Sequence, residues 1–190
     1  MTNAEERRGP WVRKSTKVAY ENPWFLVRHD DVIRPDGEPG TYDVIETPGP
    51  SVFVVAMTDA REVVFVRQHR YPTNMATWEV PGGNSDGEDL LDAAKRELEE
   101  ETGYIATSWT PLGSWQVMTG ILNEIAHAFL AQGLSRTGRE QQKEDGIFDM
   151  RTVPFRDLAA LIKNQEIYDG QSLSALLLAS IHLEIPLIKN

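Results

Sequence analysis

The sequence predicts a mixed α/β domain, and three observations carry that expectation. Short apolar runs bounded by Gly, Pro and Asp alternate with a few longer stretches of helical periodicity. A glycine-rich turn, Pro81-Gly82-Gly83, leads into a segment from about Glu88 to Thr102 that is dense in carboxylates. The 190 residues, 41% apolar and 25% charged, suffice for one substantial core.

The elements follow in order. Residues 1–10 are polar, end in Gly9-Pro10, and read as a loose tail. Residues 16–20, 24–34 and 41–47 read as strands of a small N-terminal antiparallel sheet, with Pro35-Asp36-Gly37 as a turn. Val52–Met57 and Glu62–Arg67 flank Thr58–Arg61 and are expected as a hairpin of buried strands. A strand at 77–80 precedes the glycine turn. The helix that follows runs to about Thr102, turns Leu91, Ala94 and Leu98 to the core, and stops at Gly103. Strands are expected at 111–118, 124–131 and 147–153, with a polar segment at 133–146. Helices are expected at 155–164 and 171–183, parted by Tyr168-Asp169-Gly170. The division is therefore a tail over 1–10, N-terminal strands over 11–48 and a main domain over 49–190.

Charge narrows the function classes. The net charge is −10 and basic runs are short, which argues against a nucleic-acid groove. Cysteine is absent, which excludes disulfides and thiol catalysis and fits the cytoplasm. The N-terminus, Met1 to Arg8, is polar and lacks a signal peptide, and the most apolar segment, Leu173–Ile181, is too short to span a membrane.

The chemistry concentrates between Gly82 and Tyr104. Glu97, Glu100 and Glu101 are spaced i, i+3, i+4, so they share one helical face. Like charges placed so closely repel, and a divalent cation such as Mg²⁺ or Mn²⁺, held by hard oxygen ligands, relieves that repulsion. A glutamate-rich helix is ordinarily a solvated face. Here, however, nine positions over 23 residues are fixed together: Gly82, Glu88, Arg96, Glu97, Leu98, Glu100, Glu101, Gly103 and Tyr104.

That spacing resembles the Nudix box, the signature of Nudix hydrolases. The resemblance implies an α/β/α sandwich with a mixed sheet and hydrolysis of a phosphoanhydride. It implies metal ligation by Glu97, Glu100 and Glu101, with Glu100 also in the catalytic set, and by a backbone carbonyl around Gly82. Arg96 is expected to orient the glutamates of the box, Glu88 among them. The count starts from Gly82 rather than from the second glycine of the doublet, so the loop is one residue shorter than the common pattern. The carbonyl ligand stays open among Pro81, Gly82 and Gly83.

The flanks narrow the branch. Val66-Arg67-Gln68-His69-Arg70-Tyr71-Pro72 and Trp78-Glu79-Val80-Pro81-Gly82 resemble ADP-ribose pyrophosphatases and related nucleoside-diphosphate-sugar hydrolases. By that resemblance Arg70 meets the phosphates, Glu79 approaches the nucleotide, and Trp24, Phe25 and Tyr42 stack on the base. A homodimer through the N-terminal strands is also implied. Met118-Thr119-Gly120 stands where ADP-ribose-specific members carry a Ser-Pro-Gly-like turn. The loop expected to supply the base reads Gln142-Lys143-Glu144-Asp145-Gly146-Ile147, with Glu144 as first candidate and Asp145 second. The expected substrate is a nucleoside diphosphate linked to X, ADP-ribose or another ADP-sugar first. Alternatives are GDP-mannose-type sugars, dinucleotides and nucleoside triphosphates. A non-catalytic Nudix ligand sensor is the alternative of another class; retention of all three helix glutamates argues against it.

Overall fold

The computed structural model of the chain describes residues 5–138 and 146–187. In chain order the elements are β1 (Glu6–Arg8), β2 (Trp11–Glu21), β3 (Leu26–Ile33), β4 (Pro39–Glu46), β5 (Ser51–Ala56), β6 (Glu62–Arg70), β7 (Met75–Glu79), β8 (Gly82–Asn84), α1 (Leu90–Thr102) and β9 (Tyr104–Gln116). They continue with β10 (Leu122–Asn123), β11 (Ile125–Arg136), β12 (Ile147–Pro154), a 3-10 turn (Phe155–Asp157), α2 (Leu158–Lys163) and α3 (Gly170–Leu183). The fold is mixed α/β, with strands dominant and helices few. It divides into two compact units, Met1–Gly49 with Gln116–Glu124, and Pro50–Trp115 with Ile125–Asn190.

The first unit is a sheet in the order β1-β2-β3-β4-β10. Its first four strands are antiparallel, and β10 closes the edge in parallel with β4, Leu122 opposite Ile45. Two expectations change here. Residues 6–8, read as tail, pair with Trp11–Arg13 around Gly9, which adopts φ +61°. The sheet also recruits residues 122–123 from far along the chain, a pairing that no local pattern encodes. Val32, Asp30 and Arg28 are buried in this unit. Asp30 accepts both its bonds from Arg28 Nε, at 2.9 and 3.0 Å, and Glu46 pairs with Arg28 Nη1.

The second unit holds a four-stranded sheet, β8-β5-β11-β9, and a three-stranded one, β12-β6-β7. Every residue of β5 is buried, so both faces of this strand are covered. Val52, Val54 and Ala56 meet Ala93, Ala94 and Leu98 of α1. The alternate face carries Phe53, whose ring lies against Trp115, itself bonded to Gln171 of α3. Successive strand residues point to opposite faces, so α1 and α3 sandwich the sheet. The hairpin expected between β5 and β6 does not persist. The two strands share one bridge, Met57 with Val63, and then part into different sheets. Burial on both faces explains this, because each strand needs its own pair of covering layers.

Helix α1 is built as its sequence dictates. Asp89 caps it by accepting from Leu91 N–H at 2.9 Å, and Gly103 at φ +66° ends it, donating to Glu99 O at 2.8 Å. Leu98 is fully buried, and its truncation to Ala would cost about 2–5 kcal/mol. Among the described residues no helix is long and apolar enough to cross a membrane.

Candidate active site

The loop before α1 and the second half of the helix form one electrostatic unit. Arg96 is its hub. Its Nε donates to Glu88 Oε2 at 3.1 Å, and Nη1 donates to Glu97 Oε1 at 2.9 Å and to Glu100 Oε2 at 3.1 Å. Its Nη2 donates to the Asn84 carbonyl at 2.9 Å, which ties the helix to β8. Burial opposes the charge of Arg96, but the hydrogen bond to Glu88, the charge of Glu97 and the bonds to Glu100 and Glu97 outweigh it, and the pKa rises. The guanidinium is thus charged at every accessible pH.

Glu101 lies on the inner side of the helix and is 6% exposed; its Oε2 accepts from Gly82 N–H at 3.0 Å. Glu97 lies against Gly83, where an added Cβ would stand 2.5 Å from Glu97 Oε1. Gly82 is tighter still: an added Cβ would meet the Val52 carbonyl oxygen at 2.4 Å. Space rather than φ thus favours glycine at both positions, against backbone at Gly82 and against a side-chain end at Gly83. The three glutamates share a helix face, yet Glu97 and Glu100 turn to Arg96 while Glu101 turns to the Gly82 amide. Among the described residues no three acidic or His side chains converge as a preformed metal cage. The donor set nevertheless suits a hard divalent cation, being three carboxylates beside a glycine cradle that a single Cβ would fill. Of the three candidate carbonyls, that of Pro81 accepts from Val54 N–H at 2.8 Å.

A second cluster stands where β6 and β7 meet α3. Arg70 grips Glu79, with Nε at 3.1 and 3.2 Å and Nη2 at 2.5 Å. The Glu79 side chain is only 3% exposed, that of Arg70 45%. Burial raises the Glu79 pKa above the usual carboxyl value, further helped by Asp169 and opposed by the hydrogen bond and charge of Arg70. Burial opposes the charge of Arg70, but Glu79, Asp169 and Glu101 together raise its pKa. Asp169 caps α3 by accepting from Ser172 N–H at 2.7 Å, and Ser172 Oγ accepts from Val80 N–H at 3.0 Å. Sequence reasoning took Tyr168-Asp169-Gly170 as a spacer. The available signal was the aspartate immediately ahead of a helical run.

The aromatic candidates separate within the first unit. Trp24 is 75% exposed and, like Phe25, hangs on an Asn22 turn, with Asn22 Oδ1 accepting from both amides at 2.9 and 2.8 Å. Phe25 leans on Tyr20, ring centroids 5.8 Å apart. Tyr42 instead lies edge-on to Trp11 at 5.4 Å and donates its hydroxyl to the Gly120 carbonyl at 2.8 Å. Glu144 and Asp145 lie outside the described residues. Gly146, just beyond them, accepts from His69 N–H at 3.2 Å, beside Arg70.

Two family models match the chain. The NUDIX domain family matches residues 47–175, and the nucleoside diphosphate sugar hydrolase N-terminal domain matches residues 11–45. The ADP-ribose pyrophosphatase of Bacillus subtilis (strain 168) is 34% identical over 149 residues, covering 77% of this chain and 80% of that protein. The ADP-ribose pyrophosphatase of Mycobacterium tuberculosis (strain ATCC 25618 / H37Rv) is 31% identical over 166 residues, covering 86% and 80%. The GDP-mannose pyrophosphatase of Enterobacter sp. (strain 638) is 27% identical over 175 residues, covering 83% and 88%. In fold, the chain matches a crystal structure of an ADP compounds hydrolase with TM-score 0.83 at 20% identity, over 94% of this chain and 97% of that one.

Proposed function

The chain belongs to the Nudix family and is a hydrolase of nucleoside diphosphates linked to a further group, and from that premise we propose ADP-ribose or another ADP-sugar as its substrate, with Mg²⁺ as the cofactor. The products are AMP and a sugar phosphate. The observation that carries this reading is the order of the two matched regions: a nucleoside diphosphate sugar hydrolase N-terminal domain runs directly into the Nudix domain. The named relatives with the higher identity act on ADP-ribose, which ranks it above GDP-mannose.

Glu97, Glu100 and Glu101, with the carbonyl of Gly82 or Gly83, are the residues that would hold Mg²⁺. When bound there, the ion would neutralise charge on the diphosphate and polarise the attacking water. Arg96 draws Glu97 and Glu100 to one nitrogen and fixes their aim. Arg70 offers its exposed edge to a phosphate while Glu79 holds its other edge. Glu144, with Asp145 as second candidate, takes the proton from water. Trp24, Phe25 and Tyr42 receive the base. We further propose a cytoplasmic homodimer joined by the N-terminal strands; sedimentation at monomer mass would sink the dimer, and recovery of the protein in a membrane or secreted fraction would sink the location.

The test is a phosphatase-coupled screen. The products are phosphomonoesters, which phosphatase attacks; the diphosphate substrates, esterified at both ends, resist it. Nucleoside triphosphates are attacked by phosphatase directly and are followed instead by the monophosphate formed without it. Wild-type protein with Mg²⁺ is expected to cleave ADP-ribose faster than GDP-mannose, dinucleotides or nucleoside triphosphates, and Glu101→Gln to abolish cleavage while remaining folded. Cleavage of triphosphates alone, or full activity in Glu101→Gln, would overturn the reading.

A further inference from the structure

The group X of the substrate has no partner among the residues assigned so far. On the α3 face of the four-stranded sheet, Trp115 lies on Phe53 with ring centroids 5.7 Å apart and planes inclined by 36°. Phe53 pairs with Gly82 across the sheet, and its Cδ1 would be 2.7 Å from a Cβ placed there. Gly82 is the residue whose amide holds Glu101. The aromatic pair therefore adjoins the loop proposed to meet the diphosphate.

The indole is also held. Its Nε1 donates to Gln171 Oε1 at 2.9 Å, from the first turn of α3. Next to Gln171, Asp169 uses one oxygen, Oδ2, to cap the helix, and its charge reaches both Arg70 and Glu79. Trp115 remains half-buried rather than sealed. The bond satisfies the indole N–H and also fixes the plane of the ring, so a ligand laid on it would find that ordering cost already met.

We propose that Trp115, clamped by Gln171, is a specificity residue that receives the sugar ring of X. A sugar has an apolar face of C–H bonds that fits an indole and a rim of hydroxyls that needs donors and acceptors. The amide nitrogen of Gln171 supplies donors, and the second oxygen of Asp169 is an acceptor. The base already has Trp24, Phe25 and Tyr42 proposed for it, which leaves the indole, the amide and the carboxylate for the ring of X. This inference rests on the diphosphate-sugar reading above.

The experiment compares two substrates, ADP-ribose and the methyl ester of ADP, which keeps base and diphosphate but lacks the sugar ring. The readout is the ratio of their kcat/KM values. Trp115→Leu is expected to lower that ratio about tenfold, mainly through KM for ADP-ribose, as loss of one stacking contact would. Trp115→Phe should keep most of the ratio, and Gln171→Leu should fall between. If Trp115→Leu does not fold, the other two variants decide the matter. Equal losses on both substrates would make Trp115 structural and overturn the inference, as would an unchanged ratio or a wild-type ratio near one. A wild-type protein inactive on both substrates would instead overturn the diphosphate-sugar reading itself.

Discussion

Gly83 and Glu97 interlock: the space where a Gly83 side chain would begin is filled by the Glu97 carboxylate, 2.5 Å from the position of the missing Cβ. The obstacle is the far end of a flexible side chain, so Gly83→Ala should fold and displace Glu97. A tenfold or greater fall in kcat/KM with little change in Tm is expected. Gly82→Ala is the contrast, because there the obstacle is the backbone oxygen of Val52, at 2.4 Å. Its Tm should drop clearly, corresponding to about 1–3 kcal/mol of overpacking. Equal thermal behaviour of the two variants would contradict this distinction.

Arg96 binds three carboxylates and one backbone carbonyl from a single planar group. A lysine cannot reproduce that fork. Arg96→Lys is therefore expected to lose about 10- to 100-fold in Mg²⁺ affinity or turnover, the range of residues that orient metal ligands. Titration of activity against Mg²⁺ measures it, and a wild-type curve from Arg96→Lys would disprove the positioning role.

The buried Glu79 carboxyl makes stability depend on pH. It holds its proton to higher pH in the folded chain than in the unfolded one, where its value is the ordinary 4.5. The contribution is complete below that value and is lost as pH rises through the raised folded value. The Tm of wild type minus that of Glu79→Gln should therefore shrink as pH rises above 4.5. A difference that widens with pH would show that the Arg70 pair outweighs burial.

Glu144→Gln and Asp145→Asn separate the two candidate bases. Loss of the true base should slow turnover by about 10²-fold or more at saturating substrate. If both variants turn over like wild type, the proton leaves by another route.

Elements with a strong local signal were legible. Asp89 and Gly103 bracket α1, and the uninterrupted apolar run of β5 announces a strand covered on both faces. Strand β2 was read five residues long and spans Trp11–Glu21, because its exposed Lys14 and Lys17 dilute the apolar alternation. Strand β8 has no side-chain signal in Gly82-Gly83-Asn84; it exists because β5 offers it an edge. In the site, the spacing of Glu97, Glu100 and Glu101 was plain, and so was a bond from Arg96 to the box. The grip of Arg96 on the Asn84 carbonyl and the Trp115–Gln171 bond were not, because each joins residues that only tertiary structure brings together. The Asp169 cap is local, and its signal was passed over.

The parallel pairing of β5 with β11 also bears on how the enzyme is born. Ser51 stands opposite Ala126, and Ala56 opposite Ala131. Pairings this distant in sequence form late, because loop closure must precede any gain from contact. Strand β8, and with it the amide that holds Glu101, hangs on the outer edge of β5. A chain emerging from the ribosome thus holds its whole carboxylate segment well before β11 can complete the sheet. Fragments ending ahead of Ile125 should carry the whole glutamate motif and hydrolyse nothing.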